Sequence, residues 1–508
     1  MLTIVRSLAL NGLESYIVRV EVDVSSGLPG FELVGLPDAA VREAKDRVRA
    51  AIKNAGFDFP ARRITVNLAP ADLKKEGPVY DLAISLGILA STEQIDSGLV
   101  NGYIFIGELS LDGTIQGVNG VLPRVSLLPR DGYDQVIVPL ENADEAALIQ
   151  DIKVYPTANL NQLIRHLQGE EPITPHFVDI NKFYTGHNLS GDMAEVRGQL
   201  AVKRGLEVAA AGGHNVLMLG SPGSGKTMLA RRLPGILPEL SLDEALEVTN
   251  LYSLAGMLQS GQPLITERPF RSPHHNTSTS AIVGGGKYPK PGEISLAHLG
   301  VLFLDEVAEF RRDALEALRQ PLEDGVVSIS RVHASITYPA RIMLIASMNP
   351  CPCGFLGDVE RECTCTPLQV QRYLNRLSGP LLDRFDIHID VPRLTFNDLE
   401  NFQPGESSVT IRQRVKLARE IQSARFGKAM CNADMSPLQL KKYCQLNSES
   451  SDLLRAAFTN LKLSARAHNK IIKVARTLAD LAGCQEIQVE HVAEAVQYRG
   501  MERKYWNT

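Results

Sequence analysis

From Tyr16 to Val24 apolar and polar residues alternate with period two, the pattern of a strand with one buried face. Residues 38–55 change rhythm. Ala40, Val41, Ala44, Val48 and Ile52 recur at helical spacing. Ile64–Leu68 predicts a strand and Asp81–Leu89 a helix, and residues 136–139 and 153–155 look like late strands. Residues 1–167 are therefore expected to form one α+β or α/β domain. Residues 168–192 are polar and contain proline, and read as a linker. From 193 to 393 strand-like and helix-like runs repeat, which predicts a parallel sheet. Residues 394–508 are nearly all helical from 409 onward. No internal repeat and no low-complexity tract interrupts this order.

At 508 residues the chain exceeds a single ordinary core, so two to four domains are expected. A hydrophobic fraction of 44% beside 22% charged residues is that of a globular protein. A net charge of -5 argues against a basic nucleic-acid tail but allows a local basic channel. No apolar run is long enough to span a bilayer, and the N-terminus lacks a signal-peptide layout, so no membrane partner and a cytoplasmic location are expected. In that compartment the seven cysteines stay reduced.

The chemistry is concentrated after residue 215. Gly220-Ser221-Pro222-Gly223-Ser224-Gly225-Lys226-Thr227 matches G-x-x-x-x-G-K-[ST] in full. The apolar run 215–219 before it reads as a buried strand, and 228–233 after it as the start of a helix. That is the context a phosphate-binding loop needs. Its glycines let backbone N–H groups curl around an anion. Lys226 would reach the β- and γ-phosphates of ATP, and Thr227 would ligate Mg²⁺. About 80 residues on, an apolar strand from Gly300 ends in Asp305 and Glu306. Asp305 suits a Mg²⁺ held through water, and Glu306 a general base. The strand 341–350 ends in Asn349, either a turn former or an amide that orients the attacking water. Arg384 is either a surface arginine paired with Asp383 or Asp386, or a finger for a neighbouring subunit's γ-phosphate. Ser464 is a plausible N-cap for a helix carrying Arg466, which could contact nucleotide from a helical lid, with Arg476 as the rival.

Cys351, Cys353, Cys363 and Cys365 form C-x-C…C-x-C with nine residues between the pairs. Four thiolates on one short insertion suit tetrahedral Zn²⁺, bracing the loop between Asn349 and Arg384. The plainer reading is four reduced cysteines packing a loop. Cys431, Cys444 and Cys484 are scattered and read as packing residues.

A phosphate loop, an Asp-Glu strand, an Asn sensor, an Arg finger and an Arg-bearing helical lid, in that order, resemble an AAA+ ATPase. Arg271-Ser272-Pro273-His274-His275, Gly284-Gly285-Gly286, residues 291–298, Asn349–Gly354 and Gly379–Arg384 resemble the magnesium-chelatase-like group. Nearly the whole chain is similar to the YifB/ComM family within it. The resemblance implies an α/β AAA+ core with a C-terminal helical lid, binding ATP and Mg²⁺. It implies a homo-hexameric motor, a DNA helicase that promotes branch migration on single-stranded, forked or branched DNA during natural transformation. Recombination proteins would be further partners. It also directs 270–295 and the hairpin around 326–338 at the ring's pore, where Lys287, Lys290, Arg331 and His333 could touch DNA phosphates. Each of these four is also readable as an ordinary solvated charge. Other readings are a chelatase-type ATPase remodelling a partner protein and an ATP-controlled scaffold.

Residues 77–133 resemble the proteolytic domain of Lon proteases, an α+β fold similar to ribosomal protein S5 domain 2. Gly77-Pro78-Val79 sits where that family has Gly-Pro-Ser, and Gly107–Gly113 matches a strand and turn of it. The nucleophile is then replaced by Val79, and the partner lysine falls on Arg124, which cannot act as a base. No peptidase activity is expected.

Overall fold

The computed structural model describes residues 2–184, 191–259, 261–286, 289–331, 334–358, 360–393, 405–461 and 463–506. By their contacts they fall into two units, Met1–Gly186 with Leu242–Thr266, and His187–Ser241 with Glu267–Thr508.

The first unit is built on a seven-stranded mixed sheet. Its spatial order is Gly30–Val34, Arg63–Ala69, Glu14–Ser25, Leu2–Asn11, Ile104–Phe105, Gln135–Pro139, Lys153–Thr157. The period-two segment lies in the long strand Glu14–Ser25, where Val18, Val20, Val22 and Val24 are buried. Across the sheet lies the helix Asp81–Ser91, every residue of which is buried. A helix buried on every side is a core helix. Its Gly87 admits Val22 where any Cβ would collide. At its N-terminus the buried Asp81 accepts from Arg47 Nε at 2.6 Å and from Nη2 at 3.0 Å. The helical rhythm of 38–55 appears as two helices, Ala39–Arg42 and Ala44–Asn54, the first capped by Asp38. The helix Leu242–Ala255 joins this unit although it follows the phosphate loop in sequence. Its buried Ser253 hydroxyl donates to the buried Glu145.

The second unit holds a five-stranded, all-parallel sheet in the order Phe270–Arg271, Val301–Leu304, Met343–Met348, Val216–Leu219, Ile387–Asp390. The strands Val216–Leu219, Val301–Leu304 and Met343–Met348 are buried at every position, as strands covered on both faces are. That explains their unbroken apolar sequence. An antiparallel hairpin, Val326–Arg331 with Ala334–Pro339, precedes the strand Met343–Met348. Helices Ser408–Phe426, Ser448–Leu461, Ala465–Leu481 and Val489–Gln497 complete the unit. The hydroxyl of Ser464 caps Ala465–Leu481 by accepting from Ala467 N. This helix is tied to the sheet by polar contacts. Thr477 Oγ1 lies 2.8 Å from His214 Nε2, and Lys470 Nζ lies 2.8 Å from Asp386. Among the described residues, no helix is long and apolar enough to cross a membrane.

Candidate functional site

The phosphate-loop segment leaves the C-terminal end of Val216–Leu219, a middle strand of the parallel sheet, where α/β proteins collect their ligands. Gly220 must be glycine, because a Cβ there would strike the carbonyl of Val391. Gly223 and Gly225 take φ of +78° and +89°, the left-handed region in which a side chain is strained. Lys226 opens the helix Lys226–Arg232 and folds back over the loop. Its ammonium donates to the carbonyls of Gly220 at 2.6 Å and Ser221 at 3.0 Å, and to Asn349 Oδ1 at 3.3 Å. Burial lowers its pKa to about 8, against the pull of Asp305 and Glu306.

Thr227 Oγ1 donates to Asp305 Oδ2 at 2.7 Å. The other Asp305 oxygen accepts from Ser347 Oγ, which in turn accepts from the backbone N–H of Glu306 at 3.2 Å. A hydroxyl beside a carboxylate is the hard oxygen donor set that suits Mg²⁺. Glu306 is exposed and adopts φ of +51°, a left-handed conformation uncommon for a non-glycine residue. So Lys226, Thr227, Asp305, Glu306 and Asn349 converge on the ends of three adjacent strands.

Three residues escaped sequence reasoning. Ser347 orients Asp305, and its i, i+2 relation to Asn349 on one strand was the available signal. Gln199 carries the loop from outside, donating to the carbonyls of Ser224 at 2.7 Å and Pro392 at 3.2 Å. Asp358 accepts from Ser221 Oγ at 2.6 Å. No sequence signal pointed to the last two.

The arginines lie elsewhere. Val216 pairs in parallel with Ile387, so Arg384 sits at the N-terminal end of the strands. The phosphate loop leaves the opposite end. Arg384 is paired neither with Asp383 nor with Asp386; its guanidinium meets Glu323 at 2.6 Å. Arg466 is exposed and lies 3.3 Å from Asp383, beside Arg384 in the chain. Arg476 is turned into the helical region, bound to Asp480 and to the carbonyls of Cys484 and Gln485.

The four cysteines come together, every ligand sulfur within 4.8 Å of the others. Cys351 and Cys353 sulfurs are 3.3 Å apart, and each lies 3.6 Å from that of Cys363. These separations are far from a disulfide bond and near the edge of about 3.8 Å that four sulfurs around zinc define. Cys365 Sγ accepts the N–H of Cys353 at 3.4 Å, an outer bond that orients a thiolate ligand. The donor set fits zinc.

Of the residues assigned to DNA, Lys287 and His333 lie outside the described residues. Lys290 is exposed on the short strand Lys290–Pro291, paired with Gly284–Gly285. Arg331 ends the first strand of the hairpin. In the first unit Val79 is buried in the turn Pro78–Tyr80. Arg124 is buried too, its Nη1 donating to the carbonyls of Asn119 and, at 2.8 Å, Gly120.

Residues 192–399 match the family described as Magnesium chelatase, subunit ChlI. Residues 20–142 match Subunit ChlI of Mg-chelatase, and 405–499 its C-terminal family. The chain is 47% identical over 508 residues to Competence protein ComM of Haemophilus influenzae, covering 99% of this chain and 98% of that one. It is 46% identical over 505 residues to YifB of Escherichia coli, with the same coverage of 99% and 98%. Over 200 residues it is 24% identical to Lon protease 2 of Bacillus subtilis, 35% of this chain and 36% of that one. A dense nucleotide-loop geometry on a parallel sheet and end-to-end identity of this level lead to one conclusion: the chain belongs to the YifB/ComM family of magnesium-chelatase-like AAA+ proteins.

Proposed function

We propose that this chain is an ATP-hydrolysing motor that works as a ring of six copies on single-stranded, forked or branched DNA, driving unwinding and branch migration. The relative named Competence protein ComM supports a role in competence. Bound Mg²⁺ supplies charge neutralisation for the phosphates at Thr227 and Asp305. Lys226 exchanges its loop carbonyls for phosphate oxygens when nucleotide enters. Glu306 takes the proton of the attacking water, and Asn349 orients that water. Ser347 holds Asp305 in place.

The observation that carries the ring is the position of Arg384, at the far end of the strands from its own phosphate loop. An arginine there serves a neighbour's nucleotide. Arg466, joined to the same edge through Asp383, serves that same neighbour. Lys287, Lys290, Arg331 and His333 are the proposed DNA-phosphate contacts of the pore. The first unit contributes no peptidase, since Val79 offers no hydroxyl and Arg124 keeps its charge.

The test is ATP turnover with and without forked DNA, together with strand separation of a labelled fork. Stimulation by DNA and ATP-dependent unwinding, both lost in Lys226→Ala and Glu306→Gln, are expected. Turnover indifferent to DNA, with no unwinding of forks of either polarity, would point instead to remodelling of a partner protein.

A further inference from the structure

We propose that the four-cysteine insertion is a zinc-dependent clamp on the phosphate-binding loop, so that nucleotide affinity follows metal occupancy. The inference rests on the reading of residues 220–227 as the nucleotide site.

The insertion touches the loop at three places. Asp358, between the two cysteine pairs, accepts from Ser221 Oγ at 2.6 Å. Its other oxygen accepts the backbone N–H groups of Glu360 at 3.0 Å and Arg361 at 3.1 Å. One carboxylate oxygen thus binds the insertion together and the other holds the phosphate loop. The second contact is steric. Gly354 lies against Pro222 so closely that a Cβ would stand 2.5 Å from its Cδ, and the φ of Gly354 is +85°. The third is covalent continuity. Asn349, which accepts from Lys226 at 3.3 Å, is two residues before the first cysteine.

Charge makes the first contact informative. A carboxylate beside a loop that receives polyphosphate repels the ligand. Its presence is useful only as a geometric anchor, and the anchor is as firm as the segment carrying it. Between Cys351 and Cys365 no helix or strand is formed among the described residues, and Glu360 and Arg361 are exposed. Such a segment has almost no apolar core to hold one shape against chain entropy. Four thiolates on one cation supply the missing cross-links. The sulfur spacing already fits them, and the Asp358–Ser221 bond then transmits that order to the loop.

The full chain, purified without chelator, is assayed for bound metal and titrated with a fluorescent ATP analogue. The same titration follows zinc removal and zinc return. One zinc per chain is expected. Affinity should fall at least tenfold on removal and recover with zinc but not with added magnesium, while circular dichroism stays unchanged elsewhere. Asp358→Ala and Asp358→Asn test the contact in zinc-loaded protein, where no metal has been stripped. Each should bind the analogue about fivefold more weakly with zinc content unchanged. Equal affinity of loaded and stripped protein, wild-type affinity in both variants, or no zinc at all each overturns the clamp. If loaded protein binds the analogue no better than Lys226→Ala does, the nucleotide-site reading fails and takes the clamp with it. The zinc count would then stand on its own.

Discussion

Asn215 donates its side-chain amide to the carbonyl of Arg384 at 3.1 Å, at the start of the strand whose other end becomes the phosphate loop. The same side chain accepts from Leu344 N at 2.8 Å, so this corner is pinned to the neighbouring strand as well. From Asn215 to Gly220 an extended chain covers about 16 Å. That exceeds the reach of an arginine side chain, which favours the proposed action of Arg384 on a neighbour's nucleotide.

Subunit mixing tests this separation. Arg384→Ala should still bind nucleotide, with turnover reduced on the order of a thousandfold. Lys226→Ala should bind little. Mixed oligomers of the two variants should recover part of the activity, because an intact loop then faces an intact finger. Absence of recovery across mixing ratios, with mixed rings verified by mass, would rule out action between subunits.

The two halves of the nucleotide site should separate cleanly. Lys226→Ala removes a buried charge from the loop and is expected to weaken nucleotide binding at least tenfold. Glu306→Gln keeps the side chain's size and removes the proposed base, so binding should persist while turnover falls about 10²–10⁴-fold. Equilibrium binding and single-turnover hydrolysis on both variants distinguish these losses.

The burial of Lys226 predicts a pH dependence. Burial lowers its pKa to about 8, and bound phosphate favours the charged form. Above pH 8 binding must therefore take up a proton. Affinity should decline by up to about tenfold per pH unit between 8 and 10, and calorimetry in buffers of different ionisation enthalpy should register the uptake. A pH-independent affinity across that range would refute the link to Lys226.

Removing Asp81 leaves the Arg47 guanidinium, largely enclosed, without its carboxylate. Asp81→Ala should destabilise the first unit by about 3 kcal/mol. Urea unfolding would show this as an earlier transition of that unit. Burial raises the Asp81 carboxyl to about 6 despite Arg47, so replacing both partners by apolar residues should cost much less.

Restoring the nucleophile alone should not restore proteolysis. Val79→Ser places a hydroxyl in the turn, but Arg124 remains a buried cation with Nη1 engaged by backbone carbonyls. No casein cleavage is expected from either protein, with or without ATP.

Much of the site could be read along the chain because its parts are local. The order from phosphate loop to Asp305, Glu306 and Asn349 follows from strand ends, and each strand announced itself as an apolar run covered on both faces. The capping role of Ser464 was equally local. The sequence by itself thus determined the residue types, their order and the family they belong to. Tertiary structure decided what depends on parallel register and long-range closure. It paired Arg384 with Glu323, turned Arg476 inward, and assigned the helix Leu242–Ala255 to the first unit. It also brought Asp358 onto Ser221 across 137 positions. Such contacts carry no periodic signal, because they arise only when separate elements have packed and their unpaired polar groups must find one another.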